Sequence, residues 1–257
     1  MSSEVWFLDT AVATGLYGLL VGLLVPELIA RIPEPETERE PESDSETEPP
    51  AGVDSSAVAP NTADPKETYA DMARLRGLRS KTALATGVVA GLIGARVGWG
   101  YELYFLLYLA PVGVALAVID WRTRLLPTKL IAPSYLVLIL LAGAAAWQQG
   151  DWHHLVTAGW GWLVAGGTFF ALWFIYPKGM GYGDVRLSGL LGIALGWLGW
   201  GELLTGVYAG FLLGGVGGLL LSLLRIVDRK AYPFGPFMLV GALVGVLAGP
   251  YVAAWYV

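Results

Sequence analysis

Apolar and polar residues fall into long blocks along this chain instead of alternating. Eight apolar runs lie at about 5–32, 82–98, 101–119, 130–147, 155–176, 187–200, 203–224 and 234–257. Each is near the roughly 20 residues that a helix needs to cross bilayer hydrocarbon. The run at 187–200 is short and reaches an interface through Trp197 and Trp200. Apolar runs of this length predict helices that are hydrophobic all round. The expected fold class is therefore all-α, a polytopic membrane protein with about eight transmembrane helices. The first run holds Asp9, Pro26 and Glu27 and no basic residue before Arg31. A cleaved signal peptide starts with positive charge and ends in small residues. Glu4 and Asp9 oppose that, so 1–32 reads as a retained first span.

Residues 33–65 break the pattern. Acids occupy every second position from Glu34 to Glu48, among Pro, Ser and Thr. Such a segment buries too little apolar surface to offset the entropy of ordering it. It reads as a disordered cytosolic loop and solvated tether, with attraction of a basic partner as the alternative. Residues 66–81 predict a short polar helix ending in Arg74, Arg76, Arg79 and Lys81, suited to anionic lipid headgroups. Residues 82–257 form the membrane domain.

Composition agrees. The chain of 257 residues is 55% hydrophobic, with mean hydropathy +0.59 and 14% charged residues, where soluble domains carry about 25%. Absence of cysteine excludes disulfides, thiolate metal sites and cysteine nucleophiles. The two histidines, His153 and His154, argue against a multi-histidine metal centre; neither metal nor cofactor is expected. The net charge of −5 comes from one segment: residues 32–80 carry −7 and the rest +2. No basic face for nucleic acid is visible. If the N-terminus is outside, 15 of the 16 Lys and Arg fall on inside segments, with Arg96 the exception. The positive-inside rule then places both termini outside.

Two carboxylates then share one membrane face. Asp120 directly follows an apolar run, in Val118-Ile119-Asp120-Trp121-Arg122-Thr123-Arg124-Leu125-Leu126-Pro127. Alone it reads as easily as a helix-end acid paired with Arg122 or Arg124. Asp184 ends Gly179-Met180-Gly181-Tyr182-Gly183-Asp184, and alone it reads as a helix cap. Glycine there permits left-handed dihedrals and close approach of another chain. Lys178 and Arg186 flank this acid. As a pair, the acids fall 64 residues apart, with two spans returning the chain to the same side. Two like charges, partly buried, can share a proton. One carboxylate then takes a proton from water while the other donates to a carbonyl oxygen, which is the chemistry of aspartyl peptide hydrolysis. A third motif, Tyr232-Pro233-Phe234-Gly235-Pro236-Phe237, opens the last span on that face and reads as a structured helix entrance.

Taken together and in order, Asp120 with Leu125-Leu126-Pro127 and Pro133, Gly181-Tyr182-Gly183-Asp184, and Pro233-Phe234-Gly235-Pro236-Phe237 resemble the type IV prepilin peptidases, polytopic aspartyl proteases of the GxGD type. The resemblance runs from about 82 to 257. It implies that Asp120 and Asp184 form the catalytic pair. Gly181 and Gly183 would open the backbone near the bond, and Pro127, Pro233, Gly235 and Pro236 would shape the helix entrances. It further implies cleavage of the basic leader from prepilins or pseudopilins, after a Gly, at the cytoplasmic face of the inner (plasma) membrane. Many members carry a cytoplasmic domain after the first span, often with paired Cys-x-x-Cys, and methylate the new amino terminus. Here that place holds the acidic, cysteine-free segment, so the reading is of a peptidase without a match to the methylating part. Thr128 stands where the family commonly has an acid or polar residue after Leu-Leu-Pro.

Two other classes compete: a proton-coupled transporter, because intramembrane acids also relay protons, and a catalytically silent pilus or secretion assembly protein. Elsewhere the residues have simple accounts. His153 and His154 suit a wet interfacial loop; Asp228 a solvated ion pair; Glu27 an i,i+4 pair with Arg31; Gly210, Gly214 and Gly218 close helix packing; Trp99, Trp197 and Trp200 interface anchoring.

Overall fold

The computed structural model describes residues 6–34, 68–177, 179–224 and 233–255. The acidic insert beyond Glu34, Lys178, Asp228 with its basic neighbours, and Tyr232 lie outside them. The described residues fold as helices: α1 (Leu8–Gly22), α2 (Val25–Ala30), α3 (Tyr69–Ala73), α4 (Leu78–Val97), α5 (Leu103–Thr123), α6 (Thr128–Gln149), α7 (His153–Ile175), α8 (Tyr182–Leu198), α9 (Trp200–Leu223) and α10 (Gly235–Ala253). The chain is an all-α polytopic membrane protein. By length and hydropathy α5, α6, α7 and α10 each suffice to cross a membrane; the other four apolar runs fold as α1, α4, α8 and α9.

The first run is not one helix. Pro26 has no N–H to give the carbonyl of Gly22 four residues back, and the chain breaks between α1 and α2. Thr82 on α4 takes over, donating its hydroxyl to the Gly22 carbonyl at 2.8 Å. In an apolar environment a freed carbonyl needs such a partner. Beyond the insert, Gly77 turns with φ +78° between α3 and α4, so the basic stretch at 74–81 is split between a turn and the start of α4. The two ends of the insert meet, the Tyr69 N–H donating to Glu34 Oε1 at 2.6 Å. Glu27 pairs with Arg79 at 2.5 Å rather than with Arg31, because α2 packs across α4.

Three antiparallel pairs, α1 with α4, α7 with α8 and α9 with α10, supply most of the packing. Small residues set their closeness. A Cβ on Gly18 would lie 2.5 Å from the Thr86 carbonyl oxygen, and one on Gly245 2.5 Å from that of Glu202. Gly161 and Gly192 face each other just as tightly. The common core holds Phe105, Leu116 and Ile119 of α5, Ile131 and Leu138 of α6, and Leu187, Leu190 and Trp197 of α8. Outward faces carry large apolar side chains such as Leu136, Leu140, Phe174 and Leu204, as a lipid-facing surface should. Trp99 and Trp200 are exposed, as interface anchors are, but Trp197 is only 2% exposed. It packs edge-on against Phe105, with ring centroids 5.6 Å apart. His154 stacks on it and bonds its carbonyl through Nδ1 at 2.9 Å. The histidines therefore open α7 rather than sit in a loop.

Candidate active site

Asp120 lies in the last turn of α5 and is 4% exposed. The turn ends at Arg124, which takes the left-handed conformation with φ 56° and returns its N–H to the Asp120 carbonyl at 2.8 Å. Residues 125–127 then lead into α6 at Thr128, with Pro127 buried. The carboxylate does not point back along its own helix. Its Oδ2 accepts the N–H of Gly235 at 2.9 Å, from 115 residues away.

Gly235 is the first residue of α10, with Pro236 next. A helix start has free N–H groups and the positive end of the dipole, so it favours an anion. A side chain would prevent the approach: a Cβ at Gly235 would lie 2.8 Å from Asp120 Oδ2. Pro233 is buried just ahead. Phe234 fixes this start by packing on Phe169 of α7 and Phe211 of α9, with centroids 6.0 and 5.9 Å away.

Asp184 is the third residue of α8 and 8% exposed. Its Oδ2 accepts the N–H of Gly181 at 3.2 Å, and its own N–H returns to the Gly181 carbonyl at 3.0 Å. It caps its helix, as the plain reading expected, but it also lies within reach of the Asp120 charge. Gly181 has φ −71°, and neither it nor Gly183 is left-handed. Gly183 acts by close approach instead. A Cβ there would lie 2.7 Å from the Leu126 Cβ.

Leu126 is the contact that the sequence reading passed over. Its side chain touches the Gly183 position on one side and lies 3.4 Å from the Gly235 Cβ position on the other. It joins all three motifs. Its place in Leu-Leu-Pro was the available signal, but nothing local says what a leucine packs against. Asp120, Pro127, Gly181, Gly183, Asp184, Pro233, Gly235 and Pro236 thus gather at one end of the bundle. His153 and His154 lie at the other, where α6 ends and α7 begins.

The Type IV leader peptidase family matches residues 105–248, from the start of α5 into α10. The chain belongs to that family. Its relatives include the prepilin leader peptidase/N-methyltransferase of Aeromonas salmonicida (strain A449), 36% identical over 68% of this chain and 58% of that protein. The protein of the same name from Stutzerimonas stutzeri is 29% identical over 67% and 59%. The one from Escherichia coli (strain K12) is 34% identical over 51% and 57%. The chain thus spans about three fifths of the length of the curated relatives it matches. No solved structure matches it.

Proposed function

We propose that this family member is an aspartyl endopeptidase that removes the basic leader from prepilin-like or pseudopilin-like proteins. Asp120 and Asp184 are its catalytic pair. The observation that carries the reading is their meeting at one end of the bundle, each held by a backbone N–H and neither neutralised by a cation among the described residues. Two buried like charges favour sharing one proton. The ionised member removes a proton from water, whose oxygen bonds to the scissile carbonyl carbon. The protonated member gives its proton to the carbonyl oxygen, and the C–N bond then breaks with a proton passing to the departing amine. The protons belong to the pair, so neither acid is named as base. The distribution of Lys and Arg supports an inside position for the pair, and the family resemblance supports the cytoplasmic face of the plasma membrane.

The proposal covers the peptidase half of the relatives' double name. This chain has no cysteine for the paired Cys-x-x-Cys motifs. Family membership also favours this reading over a transporter. The test is co-expression with a prepilin whose basic leader ends in Gly. The wild type yields a product beginning just after that Gly, while Asp120→Ala and Asp184→Ala insert normally and yield none. Cleavage by all three would overturn the pair.

A further inference from the structure

The two acids ride on α5 and α8, whose backbones come close at few points, although Phe105 and Trp197 meet between them far from the acids. α6 and α10 each pack on both α5 and α8, and so carry the alignment. The α10 bridge is the Gly235 N–H on Asp120. The α6 bridge runs through Arg186, two residues beyond Asp184. Its guanidinium Nη1 donates to the hydroxyl of Thr128, the first residue of α6, and lies over the Tyr182 ring, 4.6 Å from the centroid. Its main-chain carbonyl accepts the hydroxyl of Tyr135, two turns along α6, at 2.7 Å. One residue of α8 is thus fastened to α6 at two levels, beside the Gly183–Leu126 contact. Thr128 in turn closes the short connection from Asp120.

We propose that Arg186 and Thr128 are a positioning pair, which holds the turn bearing Asp184 at working distance from Asp120 without touching substrate. This rests on the peptidase reading above. A partly exposed contact of this kind adds little to stability. Catalytic geometry is far more demanding, and a misplacement of about 1 Å costs about 100-fold in rate. The planar guanidinium suits the role because it can stack on Tyr182 and donate sideways at once.

The test uses Arg186→Gln, Thr128→Val and the double variant in the full-length protein, with prepilin cleavage resolved into kcat and KM. Each single variant lowers kcat about 10- to 100-fold with KM within about twofold. The double variant is no slower than the slower single, because the two side chains act as one unit. Thr128→Ser keeps the hydroxyl and stays within about twofold of wild type. Losses that multiply in the double variant, or that appear in KM alone, would overturn the pair.

A second readout needs no cleavage. In this cysteine-free chain, Met180→Cys adds a single, partly buried thiol on the Gly181 loop. A water-soluble maleimide labels it faster, and equally so, with Arg186→Gln, Thr128→Val or both. An unchanged labelling rate would also overturn the proposal. A wild type that fails to cleave, but whose labelling responds as described, refutes the peptidase reading and leaves the clamp standing.

Discussion

Both ends of the bundle hold acids, yet they treat them differently. At the end where α4 meets α5 and α8 meets α9, three acids have partners of another kind. Asp9 accepts the Trp99 indole N–H at 2.9 Å. Glu202 feels the charge of Arg96, whose guanidinium lies 5.4 Å from the Tyr251 ring centroid. Asp151 faces His154 at 3.8 Å. At the other end, Asp120 and Asp184 each take one backbone N–H, and Asp184 lies within reach of the Asp120 charge. Acids matched to donors or cations satisfy a membrane protein's need to pair its polar groups. Acids matched to each other leave a proton to be shared, and that is a chemical capability. A carboxylate in a membrane protein is therefore a weak sign of function until its neighbour is known.

The comparison can be broken in several ways. The largest effect expected is on pH. If one proton serves the pair, cleavage needs one carboxylate ionised and one protonated. Activity then falls by about tenfold per pH unit both below the range, where both are protonated, and above it, where both are ionised. A rate flat across the accessible pH range would show that the acids do not titrate in the reaction. Next is Gly235→Ala, whose Cβ must push on Asp120 Oδ2 from 2.8 Å. The kcat should drop about 100-fold while the protein still inserts. Gly183→Ala meets the Leu126 Cβ at 2.7 Å, an atom that moves only with its backbone, so a loss of about tenfold is expected, with partial recovery in Gly183→Ala with Leu126→Gly. Smallest is the far end. Trp99→Phe removes the hydrogen bond to Asp9 and should lower stability in detergent only slightly, because the contact is exposed, leaving cleavage within about twofold. A large loss of cleavage there would join the two ends functionally and erase the contrast.

Much of this was legible before the structure. Seven of the apolar runs each became one helix, and the first became two, because length and uniform hydropathy leave a membrane segment few alternatives. The shared end of Asp120 and Asp184 followed from counting spans between them. What stayed hidden was non-local. Proline at 26 signals a break, but not that Thr82 satisfies the carbonyl it frees. Glu27 has Arg31 at helix spacing, yet pairs with Arg79 because α2 packs across α4. Trp197 carries an interface residue's name and a core residue's position, set by Phe105 and His154. Within the site, the glycine and proline motifs were visible as motifs. That Gly235 gives its N–H to Asp120, and that Leu126 ties three motifs together, depends on contacts between residues up to 115 positions apart, which no periodicity records.

The central claim is that two acids act as one unit. The direct measurement is the single-turnover cleavage rate of a prepilin by wild type, Asp120→Asn, Asp184→Asn and the double variant, with equal insertion verified. Each single substitution should lower the rate by about 10³- to 10⁴-fold, and the double variant should be no slower than either. A single variant that keeps most of the rate, or a double variant whose loss is the product of the singles, would contradict the account.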